Sequence, residues 1–162
     1  SVVTNLPKAS PEVIKGYEVR SLFVVEEGMK YVSADAAALE NRTVSDFTYK
    51  YDNGKFADLV LNGDSHSFNA TVFFPKETAK FDINSKDFNK DDPDFKPYRN
   101  KAKTGAYSLA YGASVKKFTT SLGLGEREGK KAYENYWEAN QGLKQFKEAV
   151  EKYWATTGVA RF

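Results

Sequence analysis

Arg99, Lys103, Tyr107 and Tyr111 stand at an unbroken spacing of four in YRNKAKTGAYSLAYG, residues 98–112. On an α-helix such positions share one face, drifting by about 40° per step. The stripe would run roughly 18 Å, twelve residues at about 1.5 Å each. Its cations come first and its rings follow. A guanidinium fork and an ammonium suit a polyphosphate, while aromatic rings suit a sugar edge and a stacked base. A nucleoside triphosphate laid along this helix would meet charge first and aromatic surface later. Gly105 lies inside the stripe and Gly112 directly after it. A helical Gly costs about 1 kcal/mol relative to Ala, which is tolerable where something must approach the backbone closely. The same spacing also fits an ordinary amphipathic helix with solvated cations and buried tyrosines.

KYVSADAAALENR, residues 30–42, places Asp35 at the exit of an apolar run and five residues before Glu40. A carboxylate in that position can hold a divalent ion while a substrate approaches, since magnesium takes one or two carboxylates plus substrate phosphates. Asp is also favoured as a helix N-cap, and the two roles are compatible. The sole histidine, His66, lies in NGDSHSFNA. Without a second His or any Cys it cannot belong to a zinc site, and a lone His is commonly a structural hydrogen-bonder. Asp64-x-His66 carries little weight by itself.

The elements that must position these residues can be read from punctuation and periodicity. Residues 1–18 read as loop, with Pro7 and Pro11 as breakers. SLFVV (21–25) and KYVSA (30–34), separated by EEGM, read as a hairpin-like pair of strands. A helix is expected just after Asp35, on Ala38, Leu39, Arg42 and Phe47. YDNGKF holds an Asn-Gly turn signal, and helical spacing resumes on either side of Asn62-Gly63-Asp64. Residues 75–97 are polar, charged and interrupted by proline, and read as a surface loop. Pro97 sits where helices begin. Helices are expected over roughly 98–112, 114–122, 126–140 and 142–155, with Gly123, Gly125 and Gly142 as breaks. In the last of them Leu143, Phe146, Val150 and Tyr153 form an apolar stripe.

The 162 residues suit a single domain or one large subdomain, and 41% hydrophobic content is enough for a modest core. A formal net charge of +2 gives no global argument for nucleic acid. The absence of cysteine excludes disulfides and thiolate metal sites. No apolar run approaches the length of a membrane span, and no signal-peptide pattern opens the chain. Because the first residue is Ser1 rather than Met, the expectation is a piece of something longer.

Taken in order, these stretches resemble family A DNA polymerases, most closely the phage replicative branch, over nearly the whole chain. VSADAAALENR (32–42) resembles motif A, with the pattern Asp-x-x-x-x-Glu-x-Arg. FADLVLNGDSHSFNATVF (56–73) resembles the segment that follows it, Asp-x-His included. RNKAKTGAYSLAYG (99–112) resembles motif B, with the pattern Arg-x-x-x-Lys-x-x-x-aromatic-x-x-x-Tyr-Gly, and residues 133–154 resemble the end of the fingers. The resemblance implies an α+β, mostly helical fold: a short antiparallel β unit from the palm within 1–50, then a helical fingers subdomain over 51–162, with a polar loop at about 75–97.

By the same resemblance, Asp35 would coordinate two Mg2+ ions, with the Ala36 carbonyl as a further ligand. Arg99 and Lys103 would bind the triphosphate and stabilise the leaving group. His66 would touch the triphosphate, and Tyr107 would pack on the incoming sugar and base. A Tyr rather than a Phe at that position implies tolerance of substrates lacking the 3′-hydroxyl. Glu40 would exclude a ribose 2′-hydroxyl, and Tyr111 would help form the nascent-pair pocket. Arg42 matches the motif without an assigned chemistry. The Arg99 helix would be the lid whose closure assembles the site.

The implied partners are primer-template DNA, a dNTP, and the remaining palm and thumb parts, with no membrane. An accessory replication protein is a candidate contact at the acidic run KDDPD (90–94). The implied location is the cytoplasm, the host's if the gene is a phage's. The second carboxylate of the family comes from a His-Asp pair downstream of the fingers. The sole His here is followed by Ser67, so the chain is expected not to polymerise alone. Two other classes fit the same residues: a non-catalytic nucleotide or single-strand binding module derived from such fingers, and a helical interaction domain. The latter would bury Tyr107 and Tyr111 in a core.

Overall fold

The computed structural model describes residues 13–32, 34 and 36–158. Its helices are α1 (Gly16–Ser21), α2 (Leu39–Asp52), α3 (Lys55–Asn62), α4 (Ser65–Phe73), α5 (Lys96–Ala110), α6 (Val115–Leu122), α7 (Glu126–Ala139) and α8 (Gln141–Thr157). The chain divides into two units, Ser1–Ala37 and Ala38–Phe162.

The first unit corrects the expected α+β class. Among the described residues no strand forms, and SLFVV and KYVSA do not pair. Ser21 instead closes α1, and the chain beyond it runs without regular structure through a turn at Gly28, whose φ is 84°. The composition is that of strands, but the stabilising burial is missing: Val24 is 83% exposed and Val32 86%. A two-stranded hairpin with no covered face is marginal at best in water.

In the second unit the helices follow the apolar spacing closely. α4 packs on α5 and α7, α6 lies against α5 and α7, and α2 against α3 and α8. The core is largely aromatic. Phe73 from α4 meets Phe118 of α6 edge-on at 5.1 Å and Tyr136 of α7 at 5.6 Å, geometries favoured by the ring quadrupole. On the far side Phe47 of α2 stacks on Phe146 of α8 at 5.6 Å. The Asn-Gly signal ends α2 as read: Asn53 (φ 54°) and Gly54 (φ 81°) are left-handed, and the Asp52 carboxylate accepts from Gly54 N and Phe56 N.

Two glycines behave differently from expectation. Gly142 is not a break but lies buried in the first turn of α8, where an added Cβ would collide with the Asp52 side chain. The break falls at Asn140, whose side-chain amide donates to the Tyr136 carbonyl at 2.9 Å. Gly105 does permit a close approach to the backbone, but by the protein's own core. A Cβ there would sit 2.7 Å from Leu122 Cδ2 and 3.2 Å from rings of Phe118 and Phe73.

The segment between α4 and α5 has no regular structure, as read, but it is anchored. Phe95 is fully buried, and Phe81 and Phe88 meet it edge-on at 5.0 and 4.9 Å. Exposed ion pairs link Lys80 to Asp94 at 2.6 Å and Lys96 to Asp91 at 3.0 Å. Among the described residues no helix is long and apolar enough to cross a membrane.

Candidate functional site

Pro97 in the first turn of α5 removes an amide that would have had no helical partner, and the helix carries Arg99, Lys103 and Tyr107 on successive turns. Tyr111 lies one residue past the last helical position, at φ −88° and ψ 17°. The stripe thus ends just outside the helix. Lys103 is exposed and, among the described residues, pairs with no carboxylate.

Arg99 is held. Its Nε donates to Asp64 Oδ2 at 2.7 Å and its Nη2 to Asp64 Oδ1 at 3.1 Å. The two side chains are only 20% and 27% exposed. Asp64 is also the N-cap of α4, accepting from His66 N at 3.1 Å and Ser67 Oγ at 2.9 Å. Burial alone would raise the Asp64 pKa. The hydrogen bonds from Arg99 and Ser67, the Arg99 charge and the His66 amide overcome it and hold the carboxyl down at about 2.

The α4 cap also sets His66. Its ring lies 5.9 Å from that of Tyr107, tilted by 48°. Burial lowers the His66 pKa; Asp64 opposes the shift, while Arg99 and Lys103 add to it. The shift favours the neutral ring. His66 Nδ1 and Asn69 Oδ1 are buried polar atoms with no hydrogen-bond partner among the described residues. Both residues line a small cavity shared with Asn41, Ser65, Tyr107 and Tyr136.

Glu40, in the first turn of α2, accepts a hydrogen bond from the Tyr111 hydroxyl at 2.9 Å. That bond raises the Tyr111 pKa. Tyr107 is half-buried, and burial followed by the Glu40 charge pushes its hydroxyl up as well. Glu40 is thus bonded to Tyr111 and His66 lies against Tyr107, while Arg99 joins α4 through Asp64, with Lys103 one turn from Arg99. The tyrosines are not core residues: Tyr111 is 75% exposed.

Asp35 lies outside the described residues, and Ala36 is exposed in the first unit. Among the described residues no three His, Asp or Glu side chains converge to hold a metal ion. The described donors therefore do not by themselves make a magnesium site. The residue that sequence reasoning undervalued is Asp64. Its signal was a cap-forming Asp directly before a helical stretch, but its pairing with Arg99 depends on how α4 packs on α5.

The family model for DNA polymerase family A matches residues 3–161. Over 145 residues the chain is 28% identical to the DNA-directed DNA polymerase of Escherichia phage T7 and likewise to that of Enterobacteria phage T3. Each alignment covers 85% of this chain and 18% of the relative, so the chain spans less than a fifth of the length of the polymerases it matches.

Proposed function

This chain belongs to DNA polymerase family A, and on that premise we propose that it supplies the surface of a DNA-directed DNA polymerase that receives the incoming deoxynucleoside triphosphate. The observation that carries this reading is the convergence of three helices on one stripe: cations at one end of α5, rings at the other, with His66 from α4 against Tyr107 and Glu40 from α2 bonded to Tyr111.

Each side chain then has a task suited to its chemistry. Lys103 offers an exposed ammonium to the phosphates, and Arg99 offers the donors that Asp64 leaves unused. His66 contacts a phosphate oxygen through a ring N–H. The ring of Tyr107 packs on sugar and base, and Tyr111 borders the nascent pair. The Glu40 carboxylate, fixed by Tyr111, stands where an added 2′-hydroxyl would meet it. Charge placed around the phosphates before reaction needs no rearrangement during it.

Metal dependence is general in the family. We assign Asp35 and the Ala36 carbonyl to the magnesium pair of the whole enzyme, whose role is to supply charge to the transferring phosphoryl group. We read residues 1–50 as part of the palm and 51–162 as fingers, with α5 as a lid that closes on a correct pair. Primer-template DNA and the remaining palm and thumb parts are the partners this implies, and turnover is assigned to the whole enzyme. The acidic run at 90–94, whose Asp91 and Asp94 form exposed pairs with Lys96 and Lys80, is assigned as the contact for an accessory replication protein.

The test is single-nucleotide incorporation by the complete polymerase carrying this segment. Lys103→Ala should lower kcat/KM by roughly 10²–10³, the usual loss for a charge-stabilising donor. An unchanged kcat/KM would refute the reading.

A further inference from the structure

We propose that Asp64 is a positioning residue for Arg99, gripping one edge of the guanidinium so that its other edge is presented to a substrate phosphate. The inference rests on the nucleotide-binding reading above and extends it to a residue outside the α5 stripe.

The geometry is a side-on pair. Arg99 spends its Nε–H and one Nη2–H on Asp64, at 2.7 and 3.1 Å. Guanidinium carries five N–H donors in a rigid fork, so three remain, two of them on the Nη1–Nη2 edge. That edge can still take a phosphate oxygen while the carboxylate keeps its hold. An Arg free at this point would sample many rotamers, and ordering such a side chain on binding costs affinity. Asp64 removes that cost before the substrate arrives.

Asp64 is itself fixed. Its two oxygens accept four hydrogen bonds: Arg99 Nε and Ser67 Oγ on Oδ2, Arg99 Nη2 and His66 N on Oδ1. A carboxylate has about four lone-pair sites, so its acceptor capacity is filled. One of those four bonds comes from the His66 backbone. The same carboxylate therefore ties α4, which carries His66, to α5, which carries Arg99 and Lys103, and a movement of α5 would carry His66 with it.

A double-mutant cycle separates this role from simple helix capping. In the complete polymerase, dNTP affinity is measured by single-turnover incorporation for Asp64→Asn, Arg99→Ala and the pair. Asn is as good an N-cap as Asp, so the fold should be retained. Asp64→Ser, which caps but cannot fork, is a second variant. We expect both Asp64 variants to weaken dNTP binding about tenfold when Arg99 is present and less than twofold when it is Ala. Losses that simply multiply, or no loss from either Asp64 variant, would overturn the inference and leave the nucleotide reading standing. If Arg99→Ala alone left dNTP affinity unchanged, the nucleotide reading would fall and this inference with it.

Discussion

The Tyr111 hydroxyl donates to Glu40 Oε1 at 2.9 Å across 71 residues of sequence, joining the C-terminal end of α5 to the first turn of α2. A short acid tethered at both ends is a harder wall than a free one. If that wall excludes the 2′-hydroxyl, Glu40→Ala should lower discrimination between dNTP and the matching ribonucleotide by tenfold or more, within the range a single steric contact supplies. Tyr111→Phe leaves Glu40 in place with only the Tyr107 hydroxyl to hold it and should lower it only a few-fold. Paired kcat/KM values for the two nucleotides check both. Equal loss from the two variants would locate the selectivity in the tether rather than in the carboxylate.

The Asp64–Arg99 pair predicts an acid limb in stability. Asp64 has its pKa held down at about 2, against an ordinary 3.8. A depressed carboxylate stabilises the fold fully above its unfolded value and loses that contribution as pH falls through its folded value. The stability difference between the parent and Asp64→Asn should therefore be flat from about pH 5 to 8 and shrink between about pH 4 and 2. Denaturant unfolding at a series of pH values measures it. A difference that stays constant below pH 3 would show that Asp64 stabilises by shape rather than by charge.

Gly105 tests the packing of α5. Ala would gain up to about 1 kcal/mol of helix propensity. Its Cβ, however, would sit 2.7 Å from Leu122, which is 1% exposed and has nowhere to retreat. Overpacking of a filled core costs about 1–3 kcal/mol, so Gly105→Ala should be net destabilising in urea unfolding. A stabilised variant would mean that α6 can move away from α5 freely.

Phe95 should be the bolt of the segment before α5. Removing a fully buried Phe costs about 3–5 kcal/mol, and Phe81 and Phe88 would lose the ring they pack on. Phe95→Ala should open residues 75–95 to limited proteolysis well before the helices are cut. Cleavage at the same rate as in the parent would show that the ion pairs at Asp91 and Asp94 hold the segment instead.

The sequence made the helical part legible because it marks helix ends: Pro97, Asn53-Gly54, Ser114 and Gly123 all fall at or beside observed boundaries. Gly142 misled because a glycine that stops a helix and one that lets another helix approach look the same in one dimension. The runs 21–25 and 30–34 misled because β-rich composition describes what a segment can pair with, whereas a strand requires a partner. The spacing of Arg99, Lys103 and Tyr107 was legible from periodicity alone. Glu40 entered through the motif resemblance, but its bond to Tyr111 and the hold of Asp64 on Arg99 were not legible, because those contacts join residues 71 and 35 apart in the chain.

Trimming the ligand tests most directly whether α5 presents charge to phosphates and rings to a base. Dissociation constants for a dNTP, and inhibition constants for the matching diphosphate, are compared in the complete polymerase bearing Lys103→Ala or Tyr107→Ala. Lys103→Ala should cost much more affinity for the triphosphate than for the diphosphate, while Tyr107→Ala should cost the same for both. Equal losses for both ligands from Lys103→Ala, or a phosphate-dependent loss from Tyr107→Ala, would contradict that placement.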